Sequence, residues 1–320
     1  MFLSLLSEKK RYNSDMHRIR SDWRRLLRWA LPLLAIMFFL IWKAFLTPDV
    51  LFVVLFLVFL SFGMAIEFIK RFIPLLALLV SYDALRGVVP LISHNVHYTE
   101  MINFDYWIGL GQLPTIHLQN LLYHGYLQWY DFYFYGLYMM HFVVPVLMGV
   151  LIWRTRPTAY WRFMWSLVAL SYAAFITYII FPAAPPWMAA EHGYIPHIKK
   201  LSTDIWWALG VHNFPTLYEK FAPNQVAAVP SLHSAYPTLV ALFIRQLYGA
   251  RWGAVAFLYP ISVWIGVVYM GEHYVFDVIF GAAYAVAAFY GVSALMRVWK
   301  RWRVQKRSAV SQPSEGIIAS

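Results

Sequence analysis

The chain has 320 residues, 61% of them hydrophobic, 19% aromatic and only 13% charged, with a net charge of +11. A soluble domain carries about 25% charged residues, so this composition excludes that class and points to a membrane protein. Cysteine is absent, which excludes disulfides, thiolate nucleophiles and Cys-ligated metals.

Several apolar runs approach the roughly 20 residues of a membrane-crossing helix. With no water in the bilayer core to satisfy the backbone, such runs must be helical. The expected architecture is therefore an all-α, polytopic membrane bundle of about eight transmembrane helices. Residues 1–29 carry Lys9, Lys10, Arg11, Arg18, Arg20, Arg24, Arg25 and Arg28 with Trp23 and Trp29 interleaved, and are expected to lie on the cytoplasmic membrane surface. This basic stretch is too long for a cleavable signal peptide, and no small-residue cleavage site follows the first apolar run. The transmembrane catalytic domain is expected over 30–296. Its first span covers about 30–46 and turns at Thr47-Pro48-Asp49. The second runs over about 50–68 to Lys70 and Arg71, and the third over about 73–92.

Residues 93–128 contain no Lys or Arg, but hold His94, His97, His117 and His124. They are expected as a loop or re-entrant segment on the far side. Those histidines lack a tight His-x-x-x-His pattern with acidic company, so no metal is expected there. A fourth span covers about 130–153 and a fifth about 163–182, breaking at Pro182-Ala183-Ala184-Pro185-Pro186-Trp187. A long far-side loop leads to the sixth, about 231–248. The seventh covers about 252–270, and Gly271-Glu272 turns into the eighth, about 273–296. The segment 297–320 is expected as a basic cytoplasmic tail, disordered towards its end. Of the 26 Lys and Arg, all but Lys43, Arg86, Lys199, Lys200 and Lys220 fall in segments assigned to the cytoplasm. That asymmetry sets both termini inside and explains the net charge without nucleic acid.

The residues that could carry chemistry gather on the far side. Asp277 follows His273 by four residues, so on a helix the two share a face and the carboxylate can take the Nδ1 proton. Nε2 is then directed outward as a base or nucleophile. His233, reached through Pro230 and Ser231, could supply the proton that such a nucleophile needs. An acid one turn inside a span is costly unless it is paired or functional. Pro230 and Ser231 also make an ordinary helix start; the functional alternative is an anion site in which Ser231 and free N–H groups hold phosphate oxygens. Asp83 and Arg86 form either a buried i,i+3 ion pair or a functional pair in which the guanidinium clamps phosphate. Asp131, Tyr138 and His141 fall on roughly one face of the fourth span as supporting candidates, though a satisfied core histidine accounts for His141 equally well.

Pro230-Ser231-Leu232-His233 and His273-Tyr274-Val275-Phe276-Asp277 resemble the second and third signature motifs of the type 2 phosphatidic acid phosphatase superfamily. Leu232, Ala184-Pro185-Pro186-Trp187 and Tyr82-Asp83-Ala84-Leu85-Arg86-Gly87 are similar to its inositol phosphorylceramide synthase branch. The resemblance covers about 80–290. It implies that His273 forms a phosphohistidine, that Asp277 orients it and that His233 protonates the leaving alcohol. Phosphatase members carry Arg six residues before the nucleophile; here that position is Val267. The clamp is then expected from Arg86, with Lys199, Lys200 or Lys220 second. The leading expectation is a membrane phosphotransferase moving a phosphoryl or phospho-head group between a lipid phosphate donor and an alcohol. Its site would lie at the outer face of a cell membrane, with no cofactor and no metal. A lipid phosphate or polyprenyl diphosphate phosphatase, with water as acceptor, is the alternative. A non-catalytic lipid-binding membrane protein is the third reading.

Overall fold

A computed structural model describes residues 48–86, 95–212 and 224–310, with side chains described except at 48–50, 79, 80, 82–86 and 307–310. The expected surface segment 1–29, the first span 30–46 and residues 311–320 lie outside these. Among the described residues there are eleven helices: α1 (Pro48–Ser61), α2 (Ala65–Arg86), α3 (Thr99–Ile108), α4 (Pro114–Leu122), α5 (Trp129–Thr155), α6 (Pro157–Ile180), α7 (Pro186–Glu191), α8 (Leu201–Ala208), α9 (Leu232–Tyr248), α10 (Ala250–Tyr269) and α11 (Val275–Val310). The only extended pairing described consists of isolated bridges joining His97, Ala183 and Ala227. The all-α architecture is what the chain adopts.

Contacts divide the chain into two compact units, Met1–Leu76 and Ala77–Ser320. Within the first, α1 and the start of α2 form a hairpin in which Phe68 stacks on Phe59 at 4.9 Å and on Phe72 at 4.6 Å. The sequence placed the turn at Lys70 and Arg71; it falls instead at Phe62-Gly63. Gly63 takes φ +71, which a glycine reaches at no steric cost, and the N–H groups of Gly63 and Met64 bond back to Leu60 and Phe59. Lys70 and Arg71 lie inside α2, where Arg71 pairs with Glu67 at 3.9 Å one turn away.

In the second unit, α5, α6, α10 and the part of α11 up to Lys306 are long and apolar enough to cross a membrane. Along them Leu151, Ile176, Leu258, Ile261 and Val286 present exposed apolar side chains, as helices solvated by acyl chains do. The expected loop 93–128 is helical in α3 and α4, of 10 and 9 residues. Neither is long enough to span; α3 packs on α11 and α4 on α10. The sixth expected span, α9, has 17 residues, about 26 Å. It is enclosed by α5, α6, α10 and α11, and Ala235, Leu239, Ala241 and Phe243 are almost wholly buried. Gly249, at φ +100, ends α9 and starts α10. A Cβ on Gly253 would lie 2.5 Å from that of Arg245, so the two helices can approach this closely only with glycine there.

The first part of the expected basic tail is helical, because α11 continues without a break to Val310; residues 311–320 lie outside those described. Arg and Lys are good helix formers. Trp299 with Arg303 at 4.4 Å and Trp302 with Lys306 at 5.3 Å add cation–π contacts at the i,i+4 spacing.

The basic turns collect at one end of the bundle. There Arg162 of α6 donates to Gln246 of α9 at 2.5 Å, and Thr155 of α5 meets Tyr248. At the other end three connecting segments are knitted together. His97 N–H donates to Pro182, Ala184 N–H to His97, Ala183 N–H to Val226 and Ala228 N–H to Ala183. This closure delivers the chain into Pro230 and α9.

Candidate active site

The site forms where α9 and α11 begin side by side. Ser231 caps α9, its Oγ accepting the Ser234 N–H at 3.3 Å. Its own N–H donates to the carbonyl of Asp277 at 3.1 Å, and Ser234 Oγ donates to the carbonyl of Val278 at 2.7 Å. From the α6 side, Tyr178 donates its hydroxyl to the Pro230 carbonyl at 2.8 Å. These bonds lock the starts of two helices whose histidines are forty positions apart.

Gly281 permits the approach. A Cβ there would lie 2.3 Å from the carbonyl oxygen of Ser231 and 2.9 Å from Ser234 Cβ. Backbone at a helix cap cannot yield as a flexible side chain can. Gly281→Ala is therefore expected to push α11 off α9, costing about 1–3 kcal/mol and lowering both the midpoint of thermal unfolding in detergent and the activity. An unchanged midpoint would show that the helices separate freely.

Within this frame Nδ1 of His273 lies 3.2 Å from Oδ2 of Asp277, which also accepts the N–H of Tyr274 at 2.9 Å. On its other side, Nε2 of His273 lies 3.1 Å from Nδ1 of His233. With Asp277 as a carboxylate and His273 neutral, one proton arrangement satisfies both contacts. His273 donates Nδ1–H to Asp277 and keeps its lone pair on Nε2, while His233 donates its Nδ1–H to that lone pair. His273 and Asp277 are buried, Asp277 completely. The i,i+4 pair anticipated from the sequence is present, and His233 is seated on its open side.

Tyr138 and His141, reaching in from α5, complete the enclosure. The Tyr138 ring stacks on His233 at 4.1 Å between centroids, and His141 sits against the same imidazole at 3.8 Å. His141 Nδ1 donates to the Tyr138 carbonyl at 2.5 Å, which holds that ring in place. Asp131, on the same helix face, is engaged elsewhere. Its Oδ2 accepts the Gln128 N–H at 2.6 Å in a capping box, and its Oδ1 accepts the Tyr269 hydroxyl at 2.6 Å. This carboxylate starts α5 and fastens it to the end of α10.

The expected phosphate ligands are distributed unevenly. Ser231 is wholly buried, and its Oγ and N–H serve the two helix starts. Lys199 pairs with Asp204 at 2.8 Å, a bond that raises its pKa above the ordinary lysine value. Lys200 lies 3.7 Å above the ring of Trp187 in the Ala-Pro-Pro-Trp segment. Burial pushes its pKa down, while Glu272 and Glu191 support the charged form. Trp187 in turn donates its backbone N–H to Gly271 at 3.2 Å, on the turn leading to His273. Asp83 and Arg86 lie in α2, with side chains outside those described, and Lys220 is outside the described residues.

Asp105 of α3 escaped the sequence reading. It is wholly buried and accepts two backbone N–H groups at the start of α11. The available signal was faint: an acid in a helix otherwise made of apolar and uncharged polar residues after Glu100.

The arrangement defines a multi-pass membrane protein with a His–His–Asp relay enclosed at one end of its helical bundle. A profile of the PAP2 superfamily matches residues 99–291, and the chain belongs to that superfamily. It is 33% identical over 162 residues to a phosphoinositol dihydroceramide synthase of Bacteroides thetaiotaomicron, covering 48% of this chain and 52% of the relative. It is 28% identical over 167 residues to an inositol phosphorylceramide synthase of Candida albicans, covering 47% of this chain and 33% of the relative. The matches thus span about half of the bacterial relative and a third of the fungal one. No solved structure gives a significant match.

Proposed function

We propose that the chain is a lipid phosphotransferase that moves a phosphorylated polar head group, of the phosphoinositol type, from a lipid donor to the hydroxyl of a sphingoid lipid. The observation that carries this is the chain of contacts from Asp277 through His273 to His233, at 3.2 and 3.1 Å. It presents a nucleophilic nitrogen to a proton donor inside an apolar enclosure. The names of the two relatives supply the head group and the acceptor class.

In the first half-reaction His273 Nε2 attacks phosphorus, and the bond from phosphorus to the donor's alkoxy oxygen breaks. His233, starting as the imidazolium, passes its Nδ1 proton to that oxygen and becomes neutral. In the second, the acceptor hydroxyl attacks phosphorus and gives its proton to His233, and the P–N bond breaks. The imidazole gains positive charge as P–N forms, and Asp277 stabilises that charge. A phosphorus and its leaving oxygen cannot fit within 3.1 Å, so donor binding must part the two imidazoles.

Positioning and charge neutralisation dominate phosphoryl transfer. For the clamp we retain Arg86, by residue type, with Lys200 second because it lies beside the turn that carries His273. Burial of His273 and Asp277 supports a lipid alcohol over bulk water as acceptor. The basic turns opposite the relay favour cytoplasmic termini and a site facing outward.

The test uses the purified full-length chain in mixed micelles with a labelled phosphoinositol lipid and dihydroceramide. Transfer predicts label in a new sphingolipid. Free inositol phosphate alone would make the chain a hydrolase, and label left wholly in the donor would overturn the reading.

A further inference from the structure

Helix α3 contributes no histidine and no cation to the relay, yet it sets a carboxylate against the first turn of α11. Asp105 Oδ2 accepts the N–H of Val275 at 2.9 Å, and Oδ1 accepts that of Phe276 at 3.0 Å. The N–H of Tyr274 goes to Oδ2 of Asp277, the same oxygen that faces His273. The starting N–H groups of a helix have no partner within the helix. Here three successive ones are taken by two carboxylates, one from α11 itself and one from a helix 170 positions earlier in the chain.

We propose that Asp105 is a positioning residue for the transfer reaction: by capping Val275 and Phe276 it holds the first turn of α11 in the register that lines His273 up between Asp277 and His233. This rests on the phosphotransfer reading of the histidine pair. Asp105 touches none of the reacting atoms; it acts through the backbone that carries Asp277. A carboxylate suits the place because it offers two acceptors and a negative charge to a helix N-terminus. An amide would offer one acceptor and turn its NH2 towards the other N–H.

The titratable groups around Asp105 are Asp277 and Tyr274 on the α11 side, with Tyr106 and Tyr98 on its own side. Burial first, and then the charge of Asp277, raise the Asp105 pKa to about 7 against the pull of the two N–H groups. Ionisation completes the double cap, so its contribution to turnover should rise as pH passes upward through about 7. Stability should run the other way. The folded state holds the proton more tightly than the unfolded chain, so this group's contribution is full below about 4 and is lost as pH climbs to about 7.

The experiment measures steady-state transfer by the monodisperse full-length chain in mixed micelles, between labelled phosphoinositol lipid and dihydroceramide, from pH 6 to pH 8. In Asp105→Asn, kcat per folded enzyme should fall about 100-fold, the scale of a small misalignment, with KM unchanged and the rise through pH 7 removed. Asp105→Glu should restore part of kcat and shift that rise. Wild-type kcat in Asp105→Asn, or a loss that only follows the folded fraction while the pH profile stays as in wild type, overturns the inference. If Asp105→Asn does not fold, Asp105→Glu decides: a shifted rise supports the role and an unshifted one refutes it. His273→Ala separates the two levels. Activity retained there overturns the phosphotransfer reading itself, whereas its loss together with normal kcat in Asp105→Asn overturns only the role of Asp105.

Discussion

Replacing His273 with alanine is expected to abolish transfer, by about 10⁶-fold on the scale seen when a hydrolase loses its nucleophile. In the proposed mechanism this residue supplies the attacking Nε2, and its neighbours are committed to other tasks. His233 Nδ1 faces it at 3.1 Å as the proposed proton donor, and Asp277 is bound to the first turn of α11. His141 holds its Nδ1 proton on the Tyr138 carbonyl. The side chain is nearly enclosed, so the variant leaves a small cavity beside Tyr274 and should remain folded. Two measurements read the outcome: label transferred to the acceptor lipid, and an acid-labile phosphoenzyme trapped with donor alone. Both should vanish. Full activity in this variant would place the nucleophile elsewhere and end the phosphohistidine mechanism.

Asp277→Asn should cost about 10⁴-fold, the loss seen when the buried acid of a catalytic triad becomes its amide. The shape is conserved, and an amide oxygen can still accept the Tyr274 N–H, so α11 should keep its start. What changes is the charge. The amide oxygen takes the place of the Oδ2 that meets both the Tyr274 N–H and His273 Nδ1, but a neutral group stabilises the positive charge that builds on the attacking imidazole far less than a carboxylate does. The carboxylate also has a charge-balancing part. Its Oδ1 is buried without a hydrogen-bond partner, a costly condition for an anion that is relieved when the phosphorylated imidazole becomes cationic. Transfer rates of the purified variant, set against its unfolding midpoint, separate chemistry from stability. A fall in midpoint with normal turnover per folded molecule would make Asp277 a cap and nothing more.

The PAP2 membership that the two histidine motifs suggested is the one the family profile supports, and it was legible because each motif is short. His273 and Asp277 stand four residues apart, and a helix start brings such a pair together whatever the rest of the chain does. The membrane class was legible for a similar reason, since a run of about 20 apolar residues has one stable form in a bilayer. Boundaries fared worse. Lys70 and Arg71 marked the expected turn because charge marks membrane surfaces, but a helix tolerates charge in its first turns and ends where a backbone angle requires it, at Gly63. The helical continuation past Arg297 was not legible from run length, because it rests on aromatic and basic residues four apart that extend a helix already nucleated.

The sequence by itself determined the membrane class, the all-helical architecture and the His273–Asp277 pair, because these depend on hydrophobic run length and on neighbours within one turn. The tertiary structure decided everything that joins distant segments. It set His233 against Nε2 of His273, because the close α9–α10 hairpin and Gly281 bring two helix starts together. It turned Asp131 and Ser231 into structural caps, and it drew Asp105 across 170 positions to the start of α11. Those roles depend on which backbone N–H groups are left unpaired when helices pack. No local pattern of residues records that.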